Sequence, residues 1–224
     1  MPTTPTLLTK QPVYRRLPIA IAAVFAAGIF TAATASPADD LFTAVRNDNS
    51  STVSGLLQRG LDPNTRDAKG QPALTVAMQE GSLRAARSLL ERPGVDVNAL
   101  NEAGESPLML AALKGNLVGA QLLLERGAQV NQTGWSPLHY AATGPEPKIV
   151  QVLLDRGAEI DALSPNGTTP LMMAAQYGSE DSVALLLQRG ADLNRRNQRE
   201  LSAVDFARLS GREPLTKRLE RTQR

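Results

Sequence analysis

One histidine, His139, is the whole imidazole inventory of the chain, and there is no cysteine. Any Ser-His-Asp catalysis would have to run through His139. The lack of thiols removes disulfides, lipoprotein attachment, thiol catalysis and thiolate metal sites together. A single histidine among scattered carboxylates makes no ligand cluster for a metal. Neither a glycine-rich phosphate loop nor a nucleophile elbow is present, so no cofactor is expected. Asp67, Asp96, Asp161 and Asp192 recur at a regular interval, which marks turn chemistry rather than a pair of working carboxylates. An enzyme built on His139 is the rival to a chain that binds without reacting.

His139 lies inside a phrase that recurs. Ser136-Pro137-Leu138-His139-Tyr140-Ala141-Ala142 is followed by Leu153-Leu154 and Gly157-Ala158. Ser106-Pro107-Leu108-Met109-Leu110-Ala111-Ala112 precedes it, with Leu123-Leu124 and Gly127-Ala128. Thr169-Pro170-Leu171-Met172-Met173-Ala174-Ala175 follows it, with Leu186-Leu187 and Gly190-Ala191-Asp192. Each Ser or Thr is placed to cap a helix, and each proline occupies the first turn, where its missing N–H costs nothing. The Ala pairs let an inner helix approach its neighbours closely, and the Leu pairs belong to an outer helix packed back on it. Gly115 and Gly178 are expected to end inner helices in the left-handed conformation, as Gly127, Gly157 and Gly190 end outer ones.

The 33 residues from Leu138 to Leu171, and the Thr/Ser-Pro-Leu-His-x-Ala wording, resemble the ankyrin-repeat family. The resemblance implies an all-α solenoid of about six helix-turn-helix repeats with short projecting β-hairpin turns, none able to fold alone. The repeats fall at about 39–64, 65–98, 99–131, 132–161, 162–194 and 195–224. In the first, Asp39-Asp40 stand where Thr-Pro is usual, as suits an atypical cap. In the second, Pro72-Ala73-Leu74 is the start, and Arg92-Pro93-Gly94 carries one extra residue. Leu108 to Leu138 spans only 30 residues, so the hairpin before the fourth repeat is clipped, with the sole tryptophan, Trp135, at its base. The last repeat alternates Leu215 and Leu219 with charged residues, as a closing cap facing water should. His139 holds the family's histidine slot, where imidazole ties adjacent repeats by hydrogen bonds.

The first 35 residues do not join this pattern. Lys10, Arg15 and Arg16 precede an apolar, Ala-rich run from Leu17 to Ala33, and Ala33-Thr34-Ala35 offers the small-x-small exit of a secretory signal peptide. Residues 1–35 thus read as a cleaved leader and 36–224 as the mature repeat domain, exported to the periplasm or secreted. An uncleaved inner-membrane anchor is the alternative, since the run is about long enough to span. Pro18 soon after Arg15-Arg16 argues against twin-arginine export, and the uniform apolar block argues against a mitochondrial presequence.

Without that leader the chain carries 21 basic and 22 acidic residues, net −1, so nucleic acid and a membrane surface are not expected as partners. The charges are unevenly placed: residues 36–194 hold 12 basic and 18 acidic side chains, while residues 195–224 hold 9 and 4.

Ankyrin-type chains bind along hairpin tips and the open side of the inner helices. By register that side carries Gln79, Glu80, Leu110, Leu113, Trp135, Tyr140, Met173 and Tyr177, with Glu102 at a hairpin tip. An apolar and aromatic strip with a polar rim is how an interface centre is composed. The plainer alternative is that Leu110, Tyr140 and Met173 are partly buried between repeats. The expected function is non-catalytic protein binding by a monomer. The partner is either an enzyme that it supports or a toxin that it neutralises as an immunity protein.

Overall fold

A serine or threonine hydroxyl opens most of the inner helices. Ser36, Ser106, Thr169 and Ser202 accept from the backbone N–H three residues on, at Asp39, Met109, Met172 and Asp205. The side chain of that third residue reaches back to the cap's own N–H, closing a reciprocal box. In a computed structural model that describes residues 36–223, this start recurs through a stack of helix pairs. The pairs are α1 (Pro37–Arg46) with α2 (Ser50–Gln58), α3 (Ala73–Glu80) with α4 (Leu83–Leu90), and α5 (Pro107–Leu113) with α6 (Leu117–Glu125). Then come α7 (Pro137–Thr143) with α8 (Pro147–Asp155), α9 (Pro170–Tyr177) with α10 (Glu180–Gln188), and α11 (Ala203–Leu209) with α12 (Glu213–Thr222). The expected leader, residues 1–35, lies outside the described residues. No described helix is long and apolar enough to cross a membrane.

Each inner helix packs on the inner helix of the next pair, α1 on α3 and so on to α9 on α11. From α2 to α10 each outer helix does the same with the next outer helix. The Ala pairs at 111–112, 141–142 and 174–175 are fully buried at these contacts. Larger core members include Leu74, Met78, Leu108, Leu138, Ile149 and Leu171. Of the outer-helix pair Leu153-Leu154, only Leu153 is fully buried. Leu154, its neighbour in α8, is only half-buried against the core.

Two local expectations change. The first repeat is capped by Ser36-Pro37, not by Asp39-Asp40. Helix α1 starts a turn early and Asp39 takes the third position, accepting from Ser36 N and Oγ at 3.1 and 2.8 Å. Gly178 ends α9 with φ −81° and ψ 177°, an extended conformation open to any residue. Glycine is needed there for space, since a methyl group would collide with the Ala142 carbonyl oxygen. Gly144 meets Ala112 O in the same way. Gly115, Gly127, Gly157 and Gly190 do have the expected positive φ.

The projecting segments are tight turns rather than ladders. Arg66–Pro72 is the one β-bridge among the described residues. In the turns the side-chain oxygen of Asp67, Asn101 or Asn197 accepts backbone N–H groups two and four residues on, so the Asp67 position is turn chemistry. A series of side-chain bonds links successive repeats: Asn64, Asn98, Asn131 and Asp161 accept from the backbone N–H of Asp96, Gln129, Glu159 and Asp192.

Candidate protein-binding face

His139 occupies the third position of α7, the place held by methionine or aspartate in the other boxes. Its Nδ1 lies 3.1 Å from Ser136 N, which can only donate, so Nδ1 is the acceptor and the proton sits on Nε2. Nε2–H then donates to the Thr168 carbonyl 2.9 Å away, in the turn of the following repeat. The ring is 1 % exposed, and burial holds its pKa below the usual histidine value, partly opposed by the Thr168 and Ala162 carbonyls. Both ring nitrogens are thus engaged in joining two repeats.

Trp135 packs edge-on against this ring, centroids 5.2 Å apart and planes at 78°. Around the pair opens a depression of about 230 Å³ lined by Leu113, Trp135, His139, Tyr140, Thr143 and Met173. These side chains come from three successive repeats. Tyr140 is half-buried and its hydroxyl donates to Glu105 Oε1 at 3.0 Å, while Asn101 Nδ2 donates to Glu105 Oε2 at 2.8 Å. Burial first, and the Glu105 charge second, push the Tyr140 phenol well above its usual pKa. It is therefore a neutral, oriented donor at any physiological pH.

A second depression of about 330 Å³ adjoins the first, with Trp135 and Met173 lining both. Its wall includes Gln176, Tyr177, Arg199, Phe206 and Leu209. Among the described residues Tyr177 and Leu209 are the most open large apolar side chains, at 62 % and 68 % exposure.

The structure thus brings together Leu113, Trp135, Tyr140 and Met173, with Tyr177 across the shared wall. It does not bring Leu110 to the surface: that residue is buried in the core. Val76, Leu110, Tyr140, Met173 and Phe206 share one slot by register. The shorter Val and Leu end within the crevice between repeats, whereas Tyr140, Met173 and Phe206 are only half-buried there. Leu113 and Tyr177 are not equivalent positions: Leu113 matches Thr143, Gln176 and Leu209 by register, and Tyr177 lies one residue further. Glu102 is exposed on its turn, its carboxylate alongside Gly70 of the preceding one. Gln79 is half-buried and Glu80 exposed, and neither lines these depressions. The sequence reading missed Thr143, Gln176, Arg199, Phe206 and Leu209. Register with Leu113 and Met173 was the signal that could have found all of them except Arg199.

The family model for ankyrin repeats (three copies) matches residues 41–133 and 130–197. Among curated proteins none matches the chain. Among solved structures, one similar chain comes from the Bd0816 predatory endopeptidase of Bdellovibrio bacteriovorus in complex with immunity protein Bd3460. It is 26% identical with a TM-score of 0.71, over 81% of this chain and 97% of that one. The match covers more than half of the chain, whose described residues form stacked helix pairs, and the chain belongs to the ankyrin-repeat family, whose repeats mediate protein–protein interaction.

Proposed function

We propose that this protein is a non-catalytic binder that seats a partner enzyme of the endopeptidase class on its concave face and restrains it, in the manner of an immunity protein. The observation that carries the reading is the apolar depression among Leu113, Trp135, Tyr140 and Met173. Aromatic side chains around a recessed apolar centre are the usual seat of binding energy in an interface. Tyr140 is pre-oriented by Glu105, so little freedom is lost when a partner covers it. The likeness to the chain solved with an endopeptidase and its immunity protein supports the partner class. Glu102, exposed at a turn tip, is placed to influence approach rather than the centre. Engagement of both nitrogens of His139 supports a role without catalysis.

The same proposal includes export. Cleavage after Ala35 would leave Ser36 as the first residue, with its nitrogen 3.1 Å from Asp39 Oδ2, so the new terminus would meet a carboxylate already in place.

The test is site-specific photocrosslinking in intact producing cells, with the probe at Thr143 on the rim of the depression or at Val118 on α6, 45 % exposed. A peptidase captured from Thr143 and not from Val118, whose activity falls when the purified protein is added, is the expected result. Capture only from Val118, or a partner whose activity is unaffected, would remove the proposal. An intact Met1 on the isolated protein would remove the cleavage reading, and an intact Met1 on protein recovered from the cytoplasm would remove export.

A further inference from the structure

The two adjoining depressions differ in chemistry. The first holds apolar walls and a histidine whose nitrogens are already used. The second is rich in unengaged donors. Among the described residues Arg199 is the one charged side chain lining either depression, and its guanidinium has no hydrogen-bond or ion-pair partner there, only its backbone N–H being bonded, to Asn197. Its neighbours in charge are satisfied: Arg196 and Arg208 face Asp205, Arg212 caps the Ala174 and Ala175 carbonyls, and Arg218 meets Glu180. Gln176 and the hydroxyl of Tyr177 line the same hollow and make no side-chain hydrogen bond among the described residues. The surrounding segment, residues 195–224, carries 9 basic against 4 acidic side chains, whereas the chain before it is acidic.

We infer that this groove reads a two-part feature on its partner: an apolar side chain for the depression at Trp135, followed toward the last repeat by an aspartate or glutamate side chain for Arg199. The inference rests on the concave face being the binding face and specifies what that face selects. Trp135 and Met173 form the wall common to both hollows, so one extended partner segment lying across them can occupy both. A guanidinium beside amide and phenol donors suits a carboxylate, which accepts two parallel hydrogen bonds from arginine. Left unmatched, the same Arg199 would repel a basic segment, so the site discriminates as well as binds.

Trp135 is the only tryptophan in the chain and stands between the two hollows, so its emission reports occupancy directly. The purified protein is titrated with amidated ten-residue peptides, each holding one phenylalanine and one aspartate at separations from one to five residues. Matched peptides carry lysine in place of aspartate. The expected result is that some aspartate peptides shift Trp135 emission and bind at least about tenfold more tightly than their lysine partners, with the gap shrinking at high salt. Arg199→Glu should invert that order, and Arg199→Lys should keep its direction while weakening it. Equal binding of aspartate and lysine peptides, with a Trp135 response to both, overturns the carboxylate assignment and leaves the concave face as the binding face. No Trp135 response to any peptide overturns the inference. Loss of crosslinking at Thr143 in cells, by contrast, would strike at the concave face itself.

Discussion

Lowering the pH should destabilise this protein through a single imidazole. His139 is the sole histidine, and in the folded chain it is neutral, with Nδ1 accepting from Ser136 and Nε2 donating to Thr168. Protonating Nδ1 would set one N–H against another and place a charge at a site that is 1 % exposed. The folded-state pKa is accordingly below the ordinary value of 6.5, whereas the unfolded chain keeps that value. The unfolded state therefore takes up a proton first. Stability is full above about pH 6.5 and declines as the pH falls below it, levelling off once the folded-state pKa is passed. One proton sets the steepest slope, about 1.4 kcal/mol per pH unit. Asp48 and Asp205 bind their protons below 3.8 and stay outside this window. Urea unfolding at steps from pH 7.5 to 5.5 measures the slope. His139→Gln, which cannot titrate, should be less stable at pH 7.5 yet nearly flat across the range. A flat wild-type profile, or a slope that survives in His139→Gln, would refute the assignment of the buried neutral tautomer.

Three further outcomes follow from the packing. Leu153→Ala empties a fully buried site and should cost about 2–5 kcal/mol in urea unfolding, while Leu154→Ala, half-buried, should cost clearly less; equal losses would contradict the burial of this pair. Gly178→Ala should cost about 1–3 kcal/mol because the methyl group must push α7 away from α9, and hydrogen exchange at the end of α7 should quicken; an unchanged melting temperature would show that the close approach at Ala142 O is absent. Trp135→Ala should weaken capture of the native partner by at least about tenfold, or 1.4 kcal/mol, at a folding cost of about 0.5–1.5 kcal/mol for the lost edge contact with His139. Global unfolding of Trp135→Ala would mean that the indole is core, and the binding surface lies elsewhere.

The repeated letters themselves determine a large part of this protein. A cap hydroxyl, a proline one residue later and a glycine after the outer helix act within a few residues of chain, so Ser106-Pro107, Thr169-Pro170 and Gly157 could be read without any knowledge of their surroundings. The period of about 33 residues then supplied the stacking partner, because each repeat touches only its neighbours. His139 was placed through the resemblance to the family's histidine slot, and its two bonds do run to its own cap and to the next turn. What depends on the spacing and rotation of one repeat against the next could not be read this way. Gly178 looks like Gly115 in the sequence, yet one needs room beside Ala142 O and the other a positive φ. Leu110 and Tyr140 share a slot, and only side-chain reach across the crevice leaves one buried and the other partly open. The groove joins Leu113 to Met173 and Arg199 to Tyr177 across repeats, so its existence and its polarity were decided by how the helix pairs stack, not by any run of residues along the chain.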